Sequence, residues 1–171
     1  MTFLIPQTIE TSRLQLRMFT DADWEPLCRM FRDEECVRYT TKHRLRIGKP
    51  GAGWQAISGT GTSAGMALRC RGEKIRAHDG ARGALVSGRL AEPEIKWSIL
   101  REFWGNGYAT EAASAVKEMS ARTLHRSRLI SLILPENERS KAVVRSLGGE
   151  YEKTIPFRDG QAEVFAYCLT E

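Results

Sequence analysis

No apolar run in the 171-residue chain approaches the roughly 20 residues that span a bilayer. Residues Met1 to Pro6 also lack the basic start and the apolar stretch of a secretory signal peptide. We therefore expect a cytoplasmic protein without a membrane partner.

Cysteine and histidine are scarce and poorly spaced for binding a metal. No two of the four cysteines form a Cys-x-x-Cys pair, and the three histidines share no metal-ligand spacing. These residues are Cys28, Cys36, Cys70 and Cys168, together with His43, His78 and His125. We expect reduced thiols and no metal cofactor.

Length and charge limit the class of protein further. A chain of 171 residues suits one α/β domain with a buried core. The net charge of +5 arises in residues 41–91, which hold ten Lys and Arg against two Asp and Glu, while the remainder carries a net −3. These basic residues lack interleaved aromatic residues and a predicted helix face. Nucleic-acid binding is therefore the least favoured function.

Residues 41–91 are unusual in a second way. Ten of the fifteen glycines fall there, and no apolar periodicity persists over the length of a strand or a helix. An irregular loop of about 50 residues is uncommon inside a compact domain. Two explanations stay open. The segment could be frame-shifted, because its codons read in another frame permit helix-like and strand-like sequences. Alternatively, it is a lineage-specific basic insertion. In either case the segment is anomalous and could be disordered.

The rest of the chain shows regular periodicity. Alternation over Arg13–Met18 predicts a strand, and Trp24, Leu27 and Phe31 form the apolar stripe of a following helix. From Glu94 onward the predicted order is strand, helix, strand, helix, strand, strand. The strands are 94–100, 129–134, 151–157 and 162–169, and the helices are 109–124 and 140–147. The chain is therefore predicted to be a mixed α/β protein with one domain over residues 1–171.

A loop with two glycines, residues 101–108, joins the strand at 94–100 to the helix at 109–124. A helix N-terminus presents unpaired N–H groups and the positive end of the helix dipole, and glycines let that backbone approach a bulky anion. The loop could bind a pyrophosphate, or it could be a tight strand-to-helix turn. It is not a Walker loop, because no Gly-Lys-Ser/Thr follows, and it lacks the third glycine of the dinucleotide-binding fingerprint.

Three motifs occur in an order that is typical of one family. They are Thr11–Arg17 (Thr-x-Arg-Leu-x-Leu-Arg), Trp104–Ala112 (Trp-Gly-x-Gly-Tyr-Ala-Thr-Glu-Ala) and Pro135–Ser140 (Pro-Glu-Asn-x-x-Ser). Glu102–Gly107 also aligns with a loop of the form Gln/Arg-x-x-Gly-x-Gly/Ala. The chain thus resembles the GCN5-related N-acetyltransferase (GNAT) superfamily, in particular the RimJ/RimL-like branch that acetylates the N-termini of ribosomal proteins. The resemblance leaves out residues 41–91.

This resemblance implies an acetyl-CoA site in a mostly antiparallel sheet, which parts between the strands at 94–100 and 129–134 to admit the cofactor. The cofactor-binding residues would be Trp97, Ser98, Ile99, Gly105, Asn106, Gly107, Tyr108, Ala109, Thr110 and Asn137. Backbone N–H groups from Gly105 to Ala109 would hold the pyrophosphate. Asn137 would hydrogen-bond the pantetheine arm; alternatively, Asn137 and Ser140 form only a turn and a helix N-cap.

The same resemblance implies two catalytic residues. Glu94 stands where many relatives carry the general base for the amine; the alternative is an exposed strand glutamate without a role in catalysis. Ser140 would lie near the thioester sulfur. It is one candidate for the general acid and solvent is the other, because the tyrosine that other branches use is absent and Val144 stands four residues before Gly148.

The expected reaction is acetyl transfer from acetyl-CoA to a primary amine. The acceptor would be a protein N-terminus or a small amine such as an antibiotic or a polyamine. The alternative from a different class is a non-catalytic acyl-CoA-binding relative or an inactivated member of the family. We expect a monomer or a homodimer.

Overall fold

Eight strands and four α-helices are found in the part of the chain that the computed structural model describes. That part comprises residues 8–18, 21–39, 64–70, 81–87, 92–123 and 127–169, with 64–70 and 81–87 described by their backbone. The strands are β1 (Thr8–Glu10), β2 (Leu14–Met18), β3 (Ala64–Cys70), β4 (Ala81–Ser87), β5 (Glu94–Ser98), β6 (Arg128–Ile133), β7 (Glu150–Phe157) and β8 (Gly160–Cys168). The helices are α1 (Trp24–Arg32), α2 (Glu34–Val37), α3 (Tyr108–Thr123) and α4 (Glu138–Ser146).

The strands form one sheet in the order β1-β2-β3-β4-β5-β6-β8-β7. Neighbouring strands are antiparallel except for β5 and β6, which run parallel and are joined at a single residue pair, Glu94 with Ile130. A parallel neighbour needs a long crossover connection, which contains α3. The predicted mixed α/β fold and the parting of these two strands are confirmed.

Helix α3 packs on the sheet through short side chains. Ala112 and Ala113 are fully buried, and Val116 is 1% exposed. They lie on one face of the helix and share a cluster with Leu14 of β2 and Ile95 of β5. Because alanine side chains are short, the helix can lie close to the strands. This packing sets the beginning of α3 beside the end of β5.

A second apolar cluster brings α2 to the same end of β5. Leu27, Met30 and Phe31 of α1 pack with Val37 of α2 and with Leu100, which follows β5. All five side chains are buried, so removing them from water stabilises this arrangement of helices. The cluster therefore positions α2 near the loop that follows β5.

Strands β3 and β4 correct the expectation that residues 41–91 contain no strand. Each has a hydrogen-bonded neighbour on both sides: β3 pairs with β2 and β4, and β4 pairs with β3 and β5. Their sequences, AGMALRC and ARGALVS, have little apolar alternation. Strand formation depends on the neighbouring strands as much as on intrinsic preference, which explains the missed prediction. The other residues of 41–91 lie outside the described part of the chain.

The remaining predicted elements agree with the observed ones to within two residues at each end. The described helices include none that is both long enough and apolar enough to cross a bilayer. Nor do the described residues bring together three His, Cys, Asp or Glu side chains that could hold a metal ion. The extent of the domain over residues 1–171 stays a prediction.

Candidate active site

The loop after β5 follows a path that requires two glycines. A short 3-10 turn at Arg101–Phe103 leads into it, and the Trp104 N–H donates to the Arg101 carbonyl at 3.1 Å. Gly105 and Gly107 then have φ angles of 78° and 77°. Residues with a Cβ atom rarely adopt such angles, so glycine at these two positions allows the backbone path.

Helix α3 begins directly behind these glycines. The N–H of Glu111 donates to the Gly107 carbonyl at 3.0 Å and starts the series of helical hydrogen bonds. The N–H groups of Tyr108, Ala109 and Thr110 precede that series and lie at the positive end of the helix dipole. This end of the helix can therefore bind an anion.

Strands β5 and β6 are joined by hydrogen bonds at one end, which is the narrow end of the gap between them. The Ile130 N–H donates to the Pro93 carbonyl at 3.0 Å, and the Ser131 hydroxyl donates to the Ile95 carbonyl at 2.7 Å. The buried Tyr167 hydroxyl donates to Ser131 at 3.0 Å. Burial raises the pKa of Tyr167 to about 12 despite this hydrogen bond, so the phenol stays protonated at neutral pH. These contacts hold the two strands together only at this end.

Beyond the narrow end, β5 presents its backbone to the gap. The carbonyls of Pro93 and Ile95 point toward β6. Backbone groups alternate sides along a strand, so the N–H and carbonyl of Trp97 point the same way. An extended ligand with amide groups could pair with this edge as an added strand would.

A cavity of about 620 Å³ adjoins this gap, the glycine loop and helices α2 and α4. Its volume falls within the roughly 300–1,000 Å³ of small-molecule sites. The lining residues that the sequence predicted are Trp97, Ser98, Ile99, Gly105, Gly107, Tyr108, Ala109, Thr110, Asn137 and Ser140. Those that it missed are Glu35, Cys36, Tyr39, Phe103, Trp104, Arg139, Ala142 and Val143.

Asn106, a predicted cofactor-binding residue, does not line the cavity. Its side-chain amide donates to the carbonyls of Phe103 and Trp104 at 3.2 Å and 3.1 Å. These bonds stabilise the turn before Gly105. The structure thus places the Asn106 side chain in support of the loop.

Glu94, the predicted general base, also lies outside the cavity lining. It is 7% exposed, and its carboxylate accepts a hydrogen bond from the Lys96 ammonium at 2.9 Å. It begins β5, about 13 Å along the strand from the cavity residue Ser98. Glu94 is therefore a buried, ion-paired glutamate, which corrects the alternative of an exposed one, and the structure does not bring it to Ser140.

Asn137 is the N-cap of α4. Its side-chain oxygen accepts a hydrogen bond from the Ser140 N–H at 3.2 Å, which makes Ser140 a residue of the first helical turn. Because the oxygen accepts this bond, the NH₂ group is the part of Asn137 that can donate to a ligand. The capping role and a ligand-binding role are therefore compatible.

Arg139 is the one cationic side chain among the described residues that line the cavity. Its guanidinium lies 4.4 Å from the centre of the Trp104 ring, whose indole N–H donates to the Ile99 carbonyl at 2.7 Å. Glu102, which stands where the GNAT loop has Gln or Arg, instead pairs with Arg29 at 3.6 Å. Positive charge in the described lining of the cavity therefore comes from α4. Arg139 occupies an unspecified position of the third motif, which is why the motif did not identify it.

Helix α2 and the turn after it supply a further wall. Asp33 caps the helix by accepting from the N–H groups of Glu35 and Cys36 at 2.9 Å and 3.2 Å. Glu35 is the one acidic side chain among the described lining residues, and it lies 3.5 Å from Arg38. Burial raises the pKa of the Cys36 thiol, so this thiol is a poor nucleophile at neutral pH. Tyr39 completes the wall.

The fold is that of the GNAT acetyltransferases. Residues 13–150 match the family described as "Acetyltransferase (GNAT) domain", and the chain belongs to that family. It is 30% identical over 155 residues to the uncharacterized N-acetyltransferase YoaA of Bacillus subtilis, with 86% of this chain and 85% of YoaA covered.

Solved structures show the same fold. A GNAT-family acetyltransferase from Bacillus anthracis is similar with a TM-score of 0.75 at 22% identity, over 96% of this chain and 99% of that one. RimJ of Mycobacterium smegmatis, in complex with CoA-disulfide, is similar with a TM-score of 0.68 at 19% identity, over 91% of this chain and 81% of that one.

The family match spans the anomalous residues 41–91. Strands β3 and β4, which lie in the same segment, pair within the sheet. These findings give no support to a frame-shifted segment.

Proposed function

We propose that this chain transfers an acetyl group from acetyl-CoA to a primary amine. The observation that carries the proposal is the cavity of about 620 Å³ where the glycine loop, the open edge of β5 and the start of α4 meet. The end of the cavity beside the glycine loop combines helix N–H groups with one guanidinium, a combination that suits a pyrophosphate. The N–H and carbonyl of Trp97, which point into the gap, could pair with the amides of the pantetheine arm.

The donor would lie with its pyrophosphate against the backbone from Gly105 to Ala109 and with Arg139 nearby. Pantetheine amides would pair with Trp97, and the NH₂ group of Asn137 would donate to the same arm. Ser140, in the first turn of α4, would then be close to the thioester. All these residues except Asn106 line the cavity.

Transfer would proceed by direct attack of the amine. The amine nitrogen forms a bond to the thioester carbonyl carbon as the carbon–sulfur bond breaks. The nitrogen loses one proton to a base, and the CoA thiolate takes one proton from an acid, for which Ser140 and solvent are the candidates. The products are an amide and free CoA thiol.

Two carboxylates compete for the role of base. Glu94 would act through water, because it lies outside the cavity lining. Glu35 lines the cavity and could contact the acceptor directly. An amine acceptor near pKa 8–10 is mostly protonated at neutral pH, so either carboxylate would matter most there.

The acceptor is proposed to be a protein N-terminus, as the RimJ/RimL-like motifs suggest, or a small amine. The M. smegmatis RimJ structure shares the fold with this chain and does not by itself define the acceptor. Glu35 and Tyr39 in the cavity wall favour an acceptor that carries positive charge. We propose a cytoplasmic monomer or homodimer.

The first test is thermal unfolding of the purified chain with and without acetyl-CoA. A ligand at 100 times its dissociation constant adds about 2.7 kcal/mol, so the melting temperature should rise by roughly 5–10 °C. No shift at millimolar acetyl-CoA would contradict the proposal.

Release of free CoA thiol then separates an enzyme from a binding protein. The acceptors would be short peptides with Ser, Ala or Met at the N-terminus, and spermidine. A thermal shift, together with release of CoA thiol in the presence of at least one acceptor, supports catalysis. The acceptor that is acetylated then identifies the class of substrate. A thermal shift without release from any of them would favour the non-catalytic acyl-CoA-binding alternative.

A further inference from the structure

Glu111, in the first turn of α3, is held by the segment that precedes β2. One carboxylate oxygen accepts hydrogen bonds from the Thr11 hydroxyl, the Ser12 hydroxyl and the Arg13 backbone N–H, at 2.5, 3.1 and 2.8 Å. The other oxygen accepts from the Arg13 guanidinium Nε at 2.6 Å. The side chain of Glu111 is 14% exposed. The first and second sequence motifs thus meet at this carboxylate.

The Arg13 side chain continues from Glu111 to the glycine loop. Its Nη1 donates to the Asn106 carbonyl at 2.9 Å, and its guanidinium lies 4.8 Å from the centre of the Tyr108 ring. A Cβ atom built on Gly107 would be 3.4 Å from its Nη2. One guanidinium therefore borders three consecutive loop residues.

Neither Arg13 nor Glu111 lines the cavity. Arg13 contacts the loop outside this lining, and we expect neither side chain to touch a ligand bound at the N–H groups. Glycines at positions 105 and 107 give the loop more backbone conformations than other residues would. Ordering such a loop on binding costs free energy, and contacts that order it beforehand increase affinity.

We propose that Arg13 and Glu111 form a clamp that positions the glycine loop for the pyrophosphate of acetyl-CoA. The inference rests on the proposed function. It makes both side chains positioning residues, with no direct part in acetyl transfer.

Two variants remove the guanidinium–carboxylate contact in different ways. Glu111→Gln keeps an oxygen for the three donors on one side and turns an NH₂ group toward Arg13 Nε, so that contact is lost. Arg13→Met leaves Glu111 with its hydrogen bonds from the Thr11 hydroxyl, the Ser12 hydroxyl and the backbone N–H of residue 13. Arg13 is about half exposed, so this second variant should fold even if the first does not.

The experiment is calorimetric titration with CoA and, at millimolar concentration, with pantetheine, which lacks the pyrophosphate. Each variant should bind CoA about tenfold more weakly than the wild type, with pantetheine affinity changed by less than about twofold. The double variant should lose no more affinity for CoA than either single variant, because the two residues act through one contact.

Glu152→Gln is the matched control. Glu152 pairs with Arg128 at 2.5 Å, at the end of β6 distant from the loop. This variant should bind CoA as the wild type does.

Three outcomes would overturn the clamp and leave the proposed function standing. Unchanged CoA affinity in both variants, or equal losses for CoA and pantetheine, would make the contact merely structural. Additive losses in the double variant would show that the two residues act separately. Failure of the wild type to bind CoA would instead overturn the proposed function, and the clamp with it.

Discussion

The guanidinium of Arg139 lies 4.4 Å from the centre of the Trp104 ring, and both side chains line the cavity beside the glycine loop. The ring holds the cation at the edge of the proposed phosphate site, a contact worth about 0.5–1 kcal/mol where it is exposed to water. The contact with the ring thus positions the guanidinium, and the guanidinium N–H groups can still donate hydrogen bonds to an anion.

Arg139→Gln should weaken acetyl-CoA binding about tenfold, because a charge-assisted contact to phosphate is lost. The dependence of the dissociation constant on salt should also become shallower. Calorimetry at two ionic strengths measures both effects. Arg145→Gln is the control, since Arg145 is on the same helix but outside the cavity lining and pairs with Glu138 at 3.8 Å. Equal losses of acetyl-CoA affinity in the two variants would mean that Arg139 acts only through long-range electrostatic attraction, without a direct contact to the phosphate.

Gly107→Glu should abolish CoA binding. The side chain adds bulk and a like charge at the phosphate site, and the φ of 77° disfavours any residue with a Cβ atom. Gly107→Ala should reduce binding less and lower stability by about 1 kcal/mol. Isothermal titration and urea unfolding measure the two effects.

The control for Gly107 is Gly160→Ala in the β7–β8 hairpin, where an added Cβ meets no atom within 4 Å. This variant should bind CoA normally. If Gly107→Glu also bound CoA normally, the loop would not be the pyrophosphate site.

Glu94→Gln should lower turnover much more at pH 7 than at pH 9 if Glu94 is the general base. At pH 9 a larger share of the amine is already neutral, so the base is needed less. Steady-state rates from pH 6.5 to 9.5 measure this dependence. Glu35→Gln is the comparison: a pH-independent effect of Glu94→Gln with a pH-dependent effect of Glu35→Gln would assign the role to Glu35.

Stability in acid should report the hydrogen bonds of Glu111. Desolvation raises the pKa of this carboxyl group, but the donors on Thr11, Arg13 and Ser12 outweigh it and lower the pKa from 4.5 to about 2. The resulting stabilisation is present above the unfolded-state pKa and is lost as the pH falls through about 2. Glu111→Gln should therefore cost about 2 kcal/mol at pH 7.

Urea unfolding at pH 7, 4 and 2.5 tests this expectation. The difference in free energy of unfolding between the wild type and Glu111→Gln should be constant above about pH 5 and should shrink toward pH 2. A difference that stays the same across this range would mean that the carboxylate charge adds nothing to stability.

Local patterns predicted much of the fold and part of the site. The helix at 108–123 follows from an i, i+3, i+4 apolar stripe, and the glycine loop from its position between that helix and a strand. Strands β3 and β4 were missed because Gly and Ala carry little strand signal without neighbours. The positions of Arg139 and Glu35 in the cavity lining were missed because single charged residues in helices have no periodic signal.

The sequence alone determined the order of elements from residue 94 onward, the glycine loop and the membership of a family, because each depends on residues close together in the chain. Only the tertiary structure decided which side chains meet across long separations. Arg13 and Glu111 are 98 residues apart and become neighbours because α3 packs on β2. Glu94 was predicted from the motif to be the general base, yet the start of β5 is held at the narrow end of the gap, away from the cavity. Packing and strand pairing, which no local pattern encodes, set both results.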